Sequence, residues 1–403
     1  MAKGSTSTVM QNPAVAAPPT KQPVSFREAT VERVSQMPAM ATGVALRGST
    51  GAVYDQTVRG AGYMYGIVLD FLATGGTDTG GVAFEDAPFS ILQQVILQDV
   101  SGQLILADGF SLWLHNLFAA NYRYRYTEAA TGTSVAPQDA ALTRTSTAGS
   151  RLFTALSAAG NTSFQVRAAV GFNRRDLTAI LGNQDRAQQY DLNVTIATAA
   201  AATQGPIFTT APSTGAAATY TLTPYYENYA VPLPQSPTGA PQQVLPPSFG
   251  TLHYITKSVN ATPPNGGSQV NHYISRIGNT VRGYILVFRS GSGGTPRGTA
   301  DANSPTNLTV KFGDTPQFVE SWTYRRYLMF EYYGFEWPAG VIVYPDICDF
   351  GPGAGSELGN SYLYTQTISE AQFLVTYPSG FGSTSNSLTV ITDDFQRVAP
   401  LGQ

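Results

Sequence analysis

A single cysteine, Cys348, and three histidines are all that this 403-residue chain offers as thiolate or imidazole metal ligands. One cysteine closes no internal disulfide and builds no thiolate zinc centre, so packing has to hold the fold. His115, His253 and His272 are widely separated, and none stands at ligand spacing from another. HExxH, GxSxG and a Walker lysine are all missing, and "GSGGTPRG" lacks the Lys-Ser/Thr pair that would hold phosphate and magnesium. Charge is scarce too. Charged residues make up 12% of the chain, and 23 Lys+Arg against 26 Asp+Glu leave a net charge of −3. That balance provides no broad positive field for a phosphate backbone, which sets aside specific nucleic-acid binding. No apolar run reaches the roughly 18 residues of a membrane span, and the opening residues lack an apolar segment of signal-peptide length. The expectation is a protein made in the cytoplasm, with no cofactor and no catalytic constellation.

The remaining candidate ligands have plainer readings. His115 lies in the amphipathic stretch "GFSLWLHNLFAANY" and is expected to be a structural histidine satisfied by hydrogen bonds. Asp346 and Asp349, and the pair Asp393 and Asp394, could offer oxygen ligands to a hard cation but lack a full set; they read as solvated turn acids, with no metal. Glycosidase chemistry would need two facing carboxylates, which the sequence does not single out.

What is abundant points to strands. Forty glycines, 26 prolines, 22 tyrosines and 20 phenylalanines suit short β-strands joined by many turns. "SFQVRAAV" places Phe164, Val166, Ala168 and Val170 on one face, and "DLNVTI" does the same with Leu192, Val194 and Ile196. Between them, "NRRDLTAILGNQ" predicts a helix, with Asn173 as cap, Leu177, Ile180 and Leu181 at helical spacing, and Gly182 as terminator. A second strand-helix-strand unit follows. "RGYILVFRS" is apolar on both faces, "ESWTYRRYLMFEYYGFEWPAGVIVY" begins as a helix stepping through Phe318, Trp322, Arg325, Arg326 and Met329, Pro338 ends that helix, and "GVIVY" is a buried strand.

These signals divide the chain into a flexible N-terminal arm over 1–26, a first unit over 27–223, a proline-rich connector over 224–247, a second unit over 248–395 and a tail over 396–403. The arm "MAKGSTSTVMQNPAVAAPPTKQPV" is too poor in large apolar residues to order itself, and the connector carries seven prolines. All-β units, each interrupted by a helix, fit sandwiches of the jelly-roll kind. Arginine is enriched at protein interfaces, and the clusters Arg123/Arg125 in "NYRYRY", Arg174/Arg175 and Arg325/Arg326 are the subunit-contact candidates.

In order and in spacing, "PFSILQQVIL", "GFSLWLHNLFAANY", "RRDLTAILGNQDRAQQYDLNVTI" and "SWTYRRYLMFEYYGFEWPAGVIVYPDICD" resemble the major capsid proteins of tectiviruses, tailless bacteriophages with an internal membrane. The resemblance runs from about Phe84 to Tyr377. It implies an all-β double jelly roll, two eight-stranded sandwiches side by side, each with a helix between late strands. It further implies homotrimeric, pseudo-hexagonal capsomers forming the icosahedral shell of a virion around an internal membrane. Its partners would be further copies of itself, vertex or minor capsid proteins, and that membrane on the inner face. Lys3, Lys21 and Arg27 are then the membrane-side candidates of the arm. The alternative is a tandem β-sandwich that binds carbohydrate or a receptor. Against it, Trp113, Trp322 and Trp337 lie in or beside helices rather than in loops where sugar would stack.

Overall fold

The computed structural model describes residues 26–396 apart from 41–42, 47–50, 120–152, 155, 173–176, 185–188, 198–206, 211, 213, 233–244, 247–249, 262–268, 275, 290–296, 298–304, 334–337, 345–362, 366 and 380–386. The arm before Phe26, Arg123, Arg125, Arg174, Arg175, Lys3, Lys21, Trp337, Asp346 and Asp349 lie outside the described residues.

Among the described residues, eight principal strands build the first unit, with a few two- or three-residue strands beside them: β1 (Glu32–Gln36), β2 (Val53–Val58), β3 (Gly62–Thr74), β4 (Leu92–Asp99), β5 (Gly102–Ala107), β6 (Thr162–Ala169), β7 (Tyr190–Ile196) and β8 (Thr219–Tyr229). Eight more build the second: β9 (Leu252–Ala261), β10 (Gln269–Tyr273), β11 (Thr280–Arg289), β12 (Asn307–Phe312), β13 (Thr315–Ser321), β14 (Val341–Val343), β15 (Ala371–Thr376) and β16 (Ser387–Gln396). A four-residue helix, α1 (Phe26–Ala29), precedes the first unit; α2 (Gly109–Phe118) lies between β5 and β6, and α3 (Trp322–Tyr333) between β13 and β14.

The pairing orders are the same in both units. The first has β1-β8-β3-β6 and β2-β7-β4-β5; the second has β9-β16-β11-β14 and β10-β15-β12-β13. Each unit is therefore a jelly roll with its helix after the fifth strand. Strands β5 and β9 then pair in parallel, Ile105 beside Ile255 and Leu106 beside Thr256, and fuse two of the four sheets into one that runs through both units, its ninth strand being the short Leu363–Tyr364 paired with β11. A single apolar cluster likewise spans them, from Leu69, Phe71 and Phe164 to Tyr284, Phe288 and Phe373.

Four expectations need correction. The helix expected over 173–184 does not form across its described residues, 177–184: Ala179 takes a left-handed φ of 65°, and Leu181–Asn183 is a short strand paired with β3. Leu177 and Ile180 pack instead on Phe26, Tyr63, Tyr65 and Tyr229. The first unit's helix is α2, so the repeated plan holds with a different helix in the first copy.

Phe318 belongs to strand β13, and α3 starts at Trp322, where the Ser321 hydroxyl accepts from the Tyr324 N–H at 3.2 Å. The connector does not begin at Pro224, which sits inside β8. The Pro224 carbonyl accepts from Met37, just past the end of β1, so its missing N–H lies on the side where the regular pairing with β1 has ended at Gln36–Tyr225. Finally, Phe26 is not part of a free arm. It is buried with Tyr63 and Tyr229, with ring centroids 5.2 and 5.9 Å away.

Candidate functional site at the junction of the two sandwiches

Residues from both units converge where α2 meets the second sandwich. Asp108 caps α2 by accepting the Ser111 N–H at 2.6 Å, and its other oxygen takes the Lys257 ammonium from β9. Further along α2, His115 is fully buried and donates through Nε2 to Asp393 Oδ2 on β16 at 2.8 Å. Asp393 Oδ1 receives His253 Nε2 from β9 at 2.9 Å, and Arg282 Nη1 from β11 reaches Oδ2 at 3.0 Å. The other nitrogen of His253 meets the Val170 carbonyl, just past β6, at 3.0 Å. Phe172 covers this group, its ring centre 4.0 Å from the Arg282 guanidinium carbon.

The electrostatics follow from the burial. Burial alone would raise Asp393, but Arg282 and the two imidazoles outweigh it and hold the carboxyl well below the usual carboxylate range. Burial pushes His115 down, against the pull of Asp393. His115, His253 and Asp393 offer ligand atoms within 4.8 Å of one another, the spacing of a metal centre. Those atoms instead point at each other at hydrogen-bond length, and Arg282 already supplies a cation to the carboxylate. The group is built as a closed ion-pair network.

A second network clamps the same junction. Asp86, ahead of β4, takes Arg297 Nε on Oδ1 at 2.8 Å and Arg289 on Oδ2. Arg297 also donates to the Ala339 carbonyl at 3.0 Å, and the Phe110 ring of α2 lies 5.8 and 5.5 Å from the Arg289 and Arg297 guanidinium carbons. Beside them, burial, opposed by Arg297, lifts the Glu85 carboxyl to about 7.

The sequence-predicted residues fare unequally. His115 is buried and bonded to Asp393. Asp393 and Asp394 are fully buried rather than solvated, because donors reach them from distant strands; Asp394 is held by Arg276 and Asn279. Arg325, expected at a subunit contact, is fully buried in its own chain, donating to Glu320 at 2.6 Å with its guanidinium carbon 4.4 Å from the Tyr344 ring centre. Arg326 is half-buried and Arg27 exposed on α1. Arg282, Arg289, Arg297, His253 and Asp86 were missed as a set. One signal was available: "TVRGYILV" places an arginine inside an otherwise apolar strand, which requires a buried acid somewhere.

Two eight-stranded jelly rolls joined edge to edge and locked by buried ion pairs define a double jelly roll. No family model and no curated protein matches the chain. Among solved structures, the chain is similar to the PBCV-1 virus capsid protein at 12% identity and a TM-score of 0.61, covering 93% of this chain and 95% of that one. It is similar to the STIV MCP at 13% identity and a TM-score of 0.54, covering 92% and 100%. With the major capsid protein P2 of bacteriophage PM2 the identity is 8% and the TM-score 0.50, covering 93% and 100%. These structural neighbours are double jelly-roll major capsid proteins.

Proposed function

We propose that this protein is a major capsid protein, and that three copies associate into a pseudo-hexagonal capsomer that tiles an icosahedral virion shell around an internal membrane. The observation that carries this reading is the junction: two sandwiches of identical strand plan are held at a fixed relative orientation by a shared sheet and two buried ion-pair networks. A rigid pair of like modules is what a shell tile needs, since three such chains present six similar wedges. Similarity to solved capsid proteins over more than nine-tenths of the chain supports it.

The carbohydrate-binding alternative gains nothing from the surface groove beside the junction. Gln93, Gln94, Asp108, Thr195, Lys257 and Val259 line it, with no aromatic ring on which sugar could stack. Trp113 and Trp322 are buried. Light scattering on the purified protein should give three chains, and electron microscopy of assemblies should show a closed lattice. A monodisperse monomer at micromolar concentration overturns the reading.

A further inference from the structure

The junction inside the chain has a counterpart on each outer edge of the molecule. Shared irregularities set the correspondence between the two sandwiches. In both, the third strand carries one extra residue followed by a glycine: Tyr65 before Gly66, opposite Asn228 and Glu227, and Arg282 before Gly283, opposite Asp394 and Asp393. Glu227 thus corresponds to Asp393. Their partners on the first strands then correspond as well, Val34 to Ile255 and Ser35 to Thr256.

The fifth strands align by the same argument. Each slips register against the fourth strand at one point, after the pairs Leu97–Ile105 and Val310–Phe318. Ile105 therefore corresponds to Phe318, and Leu106 to Val319. Helix caps agree, since Asp108 and Ser321 each accept the N–H three residues on.

Within the chain, Ile105 and Leu106 pair with Ile255 and Thr256. The corresponding residues are Phe318 and Val319 on β13 and Val34 and Ser35 on β1. Both strands end their sheets, with no outer partner among the described residues. Val34 is 60% exposed and Val319 71%. Unpaired strand edges are templates for pairing with another chain. Next to β13, α3 exposes Tyr324, Tyr327 and Phe330, whereas α2, at the in-chain junction, is buried along its whole length.

We propose that the β13 edge and the aromatic ridge of α3 dock on the β1 edge of a second copy, with Phe318 and Val319 running parallel to Val34 and Ser35, as a repeat of the in-chain junction. This rests on the trimer reading above and names its contact. The two surfaces differ, so the association is head-to-tail and closes as a ring, with every chain using both surfaces once. Pro316, without an N–H, limits the available β13 edge to the residues after it.

The test is a disulfide across the contact. Parallel neighbours sit roughly 4.8 Å apart, within the ~4.4–6.8 Å that a disulfide spans between Cα atoms. In full-length protein carrying Cys348→Ser, the pair Ser35→Cys and Val319→Cys should give, on mild oxidation, a reducible covalent species of three chains, and neither cysteine alone should. Val319→Asp with Tyr327→Ser should shift light scattering from three chains to one while the protein keeps its circular dichroism. Three chains in solution without the cross-link, or trimers surviving the double substitution, overturn this contact and leave the trimer reading standing. Wild-type monomers overturn both.

Discussion

His115 and Asp393 lie 278 residues apart in the chain and 2.8 Å apart in space, one on the helix of the first sandwich and the other on the last strand of the second. Their bond ties the chain's final strand to the first unit's interior. Neither sandwich can rotate against the other without stranding a buried charge.

The first prediction is that Asp393→Asn is costly. The amide keeps the shape but leaves Arg282, 1% exposed, without its counter-charge. Removing one partner from a buried pair loses about 3–5 kcal/mol. Urea denaturation should show the midpoint falling by a corresponding amount. An unchanged midpoint would mean that the network does not hold the junction.

Acid sensitivity follows from the buried histidines. His272 on β10 is bonded to the Tyr377 hydroxyl at 2.9 Å, and burial pushes its pKa down to about 4. Its unfolded value is about 6.5, so between those two pH values the unfolded chain binds a proton that the folded chain does not. The stability it contributes is full above about pH 6.5 and is lost as pH falls toward 4; the lowered His115 acts in the same direction. Glu85 has the opposite sign, because its raised pKa contributes stability that is lost as pH rises through about 7. Denaturation midpoints measured from pH 7 to 4 should fall less steeply for His272→Gln than for the wild type. Parallel curves would remove His272 from the account.

Much of the fold was legible because its strands alternate locally. Phe164, Val166 and Ala168 point inward as their spacing said, and the apolar run Tyr284–Phe288 is buried on both faces. The false helix over 173–184 arose because Leu177, Ile180 and Leu181 share helical spacing while serving different clusters, two on a turn and one on a strand. Local windows cannot separate these cases. Asp393 was misread for the related reason that its partners, His115, His253 and Arg282, are brought in by topology from distant strands. Arg325 looked like an interface residue because its acid, Glu320, sits on the preceding strand instead of on the helix.

On α3, the adjacent arginines should therefore behave differently. Arg325→Met removes the fully buried guanidinium that donates to half-buried Glu320 and should lower stability by roughly 1–3 kcal/mol, the scale of a lost charged hydrogen bond. Arg326→Ala should leave the melting midpoint within a degree or two, since it is half-buried on the helix surface. Trp322→Ala, which removes a ring packed 5.5 Å from Phe288, should lose roughly 3–5 kcal/mol. Calorimetry on the three variants separates them, and equal effects for the two arginines would contradict the assignment.

Gly109→Ala should destabilise, although alanine is the better helix former by about 1 kcal/mol. An added Cβ at the first residue of α2 would lie 2.3 Å from the Phe89 carbonyl oxygen and 2.8 Å from Leu92 Cβ. The first belongs to a 3-10 turn over Phe89–Ile91 and the second to the first residue of β4, both packed against α2, so neither can swing away as the far end of a flexible side chain would. A variant as stable as the parent would show that α2 can shift outward at no penalty.

The last prediction concerns the segment before Phe26. Phe26 is 4% exposed and packs on Tyr63 and Tyr229, so the first sandwich begins at this ring. The residues ahead of it carry Lys3 and Lys21 and no acid. Near an anionic lipid surface each such charge contributes about 1 kcal/mol, too little to hold one chain but additive over the proposed trimer and lattice. Deleting residues 2–25 should therefore leave a folded, soluble protein with an unchanged melting midpoint, while lowering the yield of membrane-containing particles. Phe26→Ala should do the reverse, reducing stability by roughly 3–5 kcal/mol as a buried aromatic truncation while leaving the two lysines in place. Normal particle yields from the deletion would rule out a membrane role for the arm, and a lowered midpoint would show that residues before Phe26 belong to the sandwich.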